Sequence, residues 1–131
     1  MYKPRILSID DEPSFTDILK QYFEPRGYSI DITSSGDEGI ELMSCNKYDV
    51  ILLDLKMVGL DGDEVMEVMR RMSPEAKIIF ITAYSDSGKT RERVMSRGAY
   101  AYVEKPLNSL KSLEDLVNKA FVSEEQEEST C

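Results

Sequence analysis

The chain contains no histidine. It cannot carry a phosphohistidine, run a histidine-based catalytic triad or close a His-ligated zinc site. Its two cysteines, Cys45 and Cys131, lie far apart. Two such thiols make neither a disulfide framework nor a thiolate metal cage, so a reducing, cytoplasmic compartment is expected. No apolar run approaches the ~20 residues that cross a bilayer. The opening stretch, Met1-Tyr-Lys-Pro-Arg5, lacks the apolar core and cleavage site of a signal peptide. Basic residues are also scarce, with 16 Lys and Arg against 25 Asp and Glu and a net charge of −9. Nucleic acid and anionic membrane both require a basic face, so neither is expected as a partner. A divalent cation or a basic protein surface fits this balance better.

What remains is an ordinary globular composition, 41 % hydrophobic and 31 % charged over 131 residues, a length for one domain. Short apolar runs alternate with amphipathic segments. Arg5-Ile-Leu-Ser-Ile9 reads as a first strand. Phe15, Ile18, Leu19, Tyr22 and Phe23 then recur at the spacing of a core-facing helix, closed by Pro25 and Gly27. Tyr28, Ile30 and Ile32 alternate with polar residues as a half-buried strand does. A helix is expected from about Asp37 to Cys45, with Ile40 and Met43 on one face. The continuous apolar run before Asp54 suggests a central strand buried on both faces. Gly59-Leu-Asp-Gly62 is a turn signal. Val65, Val68, Met69 and Met72 stripe a third helix, and Ile78-Ile-Phe-Ile81 is another buried strand. Asp86 to Arg97 is mostly polar, with only Val94 and Met95 clearly apolar, and predicts a thinly anchored helix. Ala99 to Val103 is a fifth strand, and Leu110, Leu113, Leu116, Val117, Ala120 and Phe121 mark a last helix. We therefore expect a domain over 1–122 and a flexible acidic tail over 123–131. That tail is too short for a DNA-binding or enzymatic domain.

Strand–helix alternation repeated five times predicts an α/β, doubly wound parallel five-stranded sheet with helices on both faces. Ligands of such sheets bind at the carboxyl ends of the strands. Asp10, Asp11 and Glu12 follow the first strand and Asp54 ends the third. Thr82 ends the fourth, and Lys105 follows the fifth, before Pro106. Clustered carboxylates repel one another, and a hard cation such as magnesium relieves that repulsion through oxygen ligands. A carboxylate is also a competent nucleophile toward phosphorus. A lysine and a hydroxyl can neutralise and hydrogen-bond the transferred group. Singly, each residue has a plainer reading. The three acids could cap the helix that follows, Thr82 could be an ordinary strand end, and Lys105 a surface lysine.

A competing motif, Ala83-Tyr-Ser-Asp-Ser-Gly-Lys-Thr90, comes close to the G-x-x-x-x-G-K-[ST] phosphate loop. Alanine replaces its first glycine, Asp86 puts negative charge inside the nest, and the order of loop and aspartate strand is reversed. It also leaves Asp10, Asp11 and Lys105 without a role, so the nucleotide-binding reading is set aside.

Taken together, Asp10-Asp11, Asp54, Thr82 and Lys105-Pro106 resemble the signature of bacterial two-component response-regulator receiver domains of the stand-alone, CheY-like kind, over about Arg5 to Phe121. The resemblance implies a flavodoxin-like (βα)5 fold and a signalling phosphoacceptor rather than a conventional enzyme. It implies phosphorylation on Asp54 and ligation of Mg2+ (or Mn2+) by Asp11, Asp54 and the Lys56 backbone carbonyl, with Asp10 helping directly or through water. It further implies phosphoryl contacts from Lys105 and Thr82, a switch made of Thr82 and Tyr102, and a cis bond before Pro106. The donor would be a sensor histidine kinase or a histidine phosphotransfer protein. A downstream protein target would read the surface of the fourth helix, fifth strand and fifth helix, and a homodimer through that region stays open. Val58 stands where the family usually has proline, which costs loop rigidity but no ligand. Lys56 and Tyr84 occupy positions that tune phosphoryl lifetime, and their bulk predicts slow loss of the phosphoryl group. A receiver fold kept only as a protein-binding module is the remaining alternative.

Overall fold

The computed structural model describes residues 3–55, 62–83 and 87–129, with side chains described as far as Phe121. Five strands and five α-helices alternate: β1 (Arg5–Ile9), α1 (Pro13–Phe23), β2 (Ser29–Thr33), α2 (Gly36–Cys45), β3 (Val50–Leu53), α3 (Gly62–Met72), β4 (Lys77–Thr82), α4 (Lys89–Ser96), β5 (Ala101–Glu104) and α5 (Leu110–Ser129). The sheet is parallel throughout, in the order β2-β1-β3-β4-β5. This is the doubly wound flavodoxin-like arrangement predicted above.

Alternation along the strands sorts the core into two layers. Leu7, Ile9, Ile51, Leu53, Ile78 and Phe80 face one side, where they pack with Val65, Met66 and Met69 of α3 and Val94 of α4. Ile6, Val50, Leu52, Ile79 and Ile81 face the other, under Leu19 and Phe23 of α1 and Leu113, Val117 and Ala120 of α5. All four residues of β3 are buried, as a central strand covered on both faces requires.

Helix ends follow local chemistry. Pro13 opens α1, where its missing N–H costs nothing. A 3₁₀ turn over Glu24–Arg26 closes it, and Gly27 adopts φ +94°, a conformation glycine reaches without strain. The Ser35 hydroxyl accepts the Glu38 N–H at 3.1 Å and caps α2.

Several sequence expectations shift. Ile18, assigned to the core stripe of α1, is 49 % exposed, because the face of α1 that meets the sheet is centred on Leu19 and Phe23. Met72 and Met95 are likewise partly exposed, whereas Met66 is buried in the Val65–Met69 face of α3. Helix α4 is shorter than the polar segment that suggested it and buries only Thr90 and Val94. Strand β5 starts two residues later than expected, because the Ala99 N–H turns back to the Val94 carbonyl and ends the helix. Helix α5 continues as helical backbone to Ser129, through most of the acidic run after residue 122. The Gly59–Gly62 turn signal lies outside the described residues except for Gly62. Of the loop-like motif before α4, Tyr84, Ser85 and Asp86 also lie outside the described residues; its Lys89 is exposed at the first position of that helix.

Candidate functional site

Two backbone hydrogen bonds just past the sheet place the acids. The Asp10 N–H donates to the Thr33 carbonyl at 3.0 Å, and the Asp54 N–H donates to the Ile9 carbonyl at 2.9 Å. Asp10 and Asp54 thus extend β1 and β3 by one residue at their carboxyl ends. These neighbouring strands pair Ile9 with Leu53, and the strand order reverses there, where open α/β sheets form their binding crevice. Both acids are buried, Asp10 at 3 % exposure and Asp54 at 7 %. With the exposed Asp11, they bring one carboxylate oxygen each to within 4.8 Å of one another.

Lys105 arrives from the far side. Its N–H donates to the Thr82 carbonyl at 2.8 Å, continuing the β4–β5 ladder, and a cis peptide joins it to Pro106. Its ammonium donates to Asp10 Oδ2 at 2.8 Å and to Glu12 Oε1 at 2.9 Å. Thr82, Lys105, Asp11 and Asp54 line one cleft of about 620 Å3. The sequence-predicted residues therefore converge from positions 10 to 105. Tyr102 lies next to the cleft rather than in it. It pairs with Phe80 across β4 and β5, and its buried ring sits 6.5 Å from the Phe80 ring, on the sheet face that α4 covers. Lys56 and Tyr84 fall outside the described residues, as does Val58.

The electrostatics leave an excess of acid. Burial pushes the Asp10 carboxyl above its ordinary range, and the bonds from Lys105 and the Glu12 N–H do not overcome this. Burial also pulls the Lys105 ammonium down, but its bonds to Asp10 and Glu12 and the charges of Asp10 and Asp54 outweigh it, so the ammonium is held above its usual value. One ammonium faces three clustered carboxylates and Glu12. Hard, anionic oxygen donors at this spacing, one carrying a desolvation penalty for its charge, fit a small divalent cation.

Residues 6–118 match the family described as the response regulator receiver domain. The chain belongs to the response regulator receiver family. Among curated relatives of this receiver, the response regulator SaeR of Staphylococcus aureus is 36 % identical over 107 residues, covering 79 % of this chain and 44 % of that protein. The chain thus spans less than half the length of the curated relatives it matches. Among solved structures, the response regulator TrrA of Thermotoga maritima, in complex with Mg2+-BeF, superposes with a TM-score of 0.78 at 36 % identity, over 90 % of this chain and 99 % of that one. A CheY-like receiver from Methanospirillum hungatei gives a TM-score of 0.86 at 29 % identity, over 96 % and 99 %. Receiver domains belong to two-component signalling, and the buried aspartate cluster is consistent with a phosphoacceptor site. Among the described residues no helix is long and apolar enough to cross a membrane.

Sequence reasoning overlooked two features. Glu12, for which helix capping was one plain alternative, makes no side-chain capping bond and reaches Lys105 instead. Glu114, in α5, is a buried carboxylate that accepts the hydroxyls of Tyr22 at 2.8 Å and Tyr28 at 2.9 Å. No local pattern flags either pairing, since the partners stand 86 to 93 residues apart.

Proposed function

We propose that this receiver accepts a phosphoryl group on Asp54 from a histidine kinase or a histidine phosphotransfer protein, and changes a protein-binding surface in response. The reading rests chiefly on the convergence of Asp10, Asp11 and Asp54 within 4.8 Å at the β1–β3 switch point, with the Lys105 ammonium against them.

Asp10, Asp11, Asp54 and the Lys56 carbonyl would hold Mg2+ or Mn2+, which supplies positive charge for the phosphoryl oxygens when bound. A carboxylate oxygen of Asp54 attacks phosphorus in line. The bond from phosphorus to the donor's imidazole nitrogen breaks, and the imidazole leaves with the electron pair. Lys105 neutralises a second phosphoryl oxygen, and the Thr82 hydroxyl donates to a third. Drawing Thr82 toward the phosphoryl group changes the packing beside Phe80 and Tyr102, on the face where α4 buries only Thr90 and Val94. The α4–β5–α5 surface is then what a downstream protein reads, by a shift between states already accessible. The donor must be a separate molecule or another part of a longer protein, since this sequence has no histidine. The bulk of the Lys56 and Tyr84 side chains favours slow loss of the phosphoryl group, so a Lys56→Asn, Tyr84→Ala variant should lose it faster.

The deciding experiment is incubation with Mg2+ and acetyl phosphate or phosphoramidate, read by intact mass at neutral pH. One phosphoryl group should be gained, and the gain should vanish in Asp54→Asn and in EDTA. A gain that survives Asp54→Asn refutes the acceptor assignment. No gain from either donor leaves a fold that serves only as a binding module.

A further inference from the structure

Glu12 occupies the N-cap position of α1, where an acidic side chain ordinarily folds back onto the first free N–H groups of the helix. Here it does not. The start of the helix makes little demand on it. Pro13 brings no N–H, and the Phe15 and Thr16 N–H groups donate to the Glu12 carbonyl at 3.0 and 3.2 Å. The Glu12 N–H donates to Asp10 Oδ1 at 3.0 Å, which ties the Glu12 backbone to the acid cluster. The carboxylate crosses the mouth of the cleft and accepts Lys105 Nζ at 2.9 Å. The same ammonium lies 4.4 Å from the centre of the Phe15 ring, within range of a cation–π attraction. Asp10, Glu12 and Phe15, all from the β1–α1 corner, thus grip the one lysine that the proposed chemistry needs at the phosphoryl group.

We propose that Glu12 is a positioning residue for phosphoryl transfer: its carboxylate holds the Lys105 ammonium on the β1–α1 side of the cleft and competes with the phosphoryl group for it. The inference rests on the reading of the site given above. Lysine has three N–H donors and a flexible stem, so its charge divides among the acceptors within reach. Asp10 belongs to the cation-binding cluster. Glu12 stands outside that cluster and remains as a counter-anion that the phosphoryl oxygens must outbid. Removing it frees Lys105 without removing a proposed metal ligand.

Two measurements test this. In the metal-free full chain, trace acylation of lysines, read by peptide mass, compares Lys105 with the exposed Lys119 as internal standard. Relative labelling of Lys105 should rise from wild type to Glu12→Gln and further in Glu12→Ala. Unchanged labelling in both variants overturns the clasp. With Mg2+ and acetyl phosphate, both variants should gain the phosphoryl group roughly three- to ten-fold faster at first, the scale of a charge-assisted hydrogen bond partly open to solvent. This gain should disappear in a Lys105→Ala background. An equal gain in that background means that Glu12 merely repels an anionic donor, and the proposal fails. Where that background reacts too slowly to read, the labelling decides. Failure of wild type to be phosphorylated, or persistence in Asp54→Asn, refutes the functional reading instead, and the labelling still reports on the clasp.

Discussion

Replacing Tyr28 by phenylalanine removes a single oxygen from the interface that binds α5 to the first half of the chain. The Tyr28 hydroxyl donates to Glu114 at 2.9 Å and accepts from Asn118 Nδ2 at 2.8 Å. Asn118 retains a second acceptor, the Glu114 carbonyl at 3.0 Å. Glu114 retains Tyr22 at 2.8 Å and a looser ion pair to Arg26 at 3.6 Å. The ring itself stays, with its edge contact to Phe23. The loss is therefore close to one hydrogen bond to a buried carboxylate, about 2 kcal/mol. At about 2.1 cal/mol/K of unfolding entropy per residue, a domain of this length converts that into a fall in Tm of ~7 °C. Far-UV circular dichroism is the suitable assay, because the chain has no tryptophan.

The pH dependence sharpens the test. Burial pushes the Glu114 carboxyl up, but the hydroxyls of Tyr22 and Tyr28, together with the charges of Lys111 and Arg26, outweigh it and hold the group below its ordinary value of 4.5. A carboxyl depressed on folding contributes stability that is complete above its unfolded value and is lost as pH falls through the folded one. The gap between wild type and Tyr28→Phe should therefore be widest near neutral pH and narrow at about pH 3. A variant that melts within ~1 °C of wild type at neutral pH, or one whose deficit is the same at both pH values, refutes the reasoning.

Two further outcomes follow from the packing of α2 and α4. A Cβ at Gly39 would stand 2.5 Å from Ile9 Cδ1 and 3.0 Å from Cγ1; because Ile9 is fully buried, Gly39→Ala should cost about 1–3 kcal/mol in urea unfolding at an unchanged m-value. Helix α4 buries little and is strapped to α3 by Arg93–Asp63 at 2.6 Å and by Arg70 donating to the Arg97 carbonyl. Arg93→Ala should speed hydrogen exchange of α4 amides while α5 amides keep their rates, with a global cost under about 1 kcal/mol because the arginine is partly exposed.

Order and kind of element were legible in the chain because their causes are local. Alternation and 3.6-residue periodicity lie within windows of a dozen residues, and Pro25 and Gly27 mark a helix end wherever they fall. The acids and the lysine could be nominated because doubly wound sheets bind ligands at strand carboxyl ends, and the resemblance to receivers named the same residues. Boundaries were less legible where backbone groups chose between partners, as at Ala99, whose N–H goes to helix α4 rather than to the sheet.

By itself, then, the sequence determined a five-fold βα alternation, a buried central strand ending in Asp54, and an acidic chain without histidine. Tertiary structure alone decided what depends on residues remote in sequence. Strand order set Asp54 beside Asp10, the orientation of α1 turned Ile18 outward, and the close of β5 brought Lys105 to Glu12 and not only to the cluster. The reason is physical: a side chain's hydrogen-bond partner depends on which elements pack together, and that choice is made by the sum of the core's burial, not by any window of neighbouring residues.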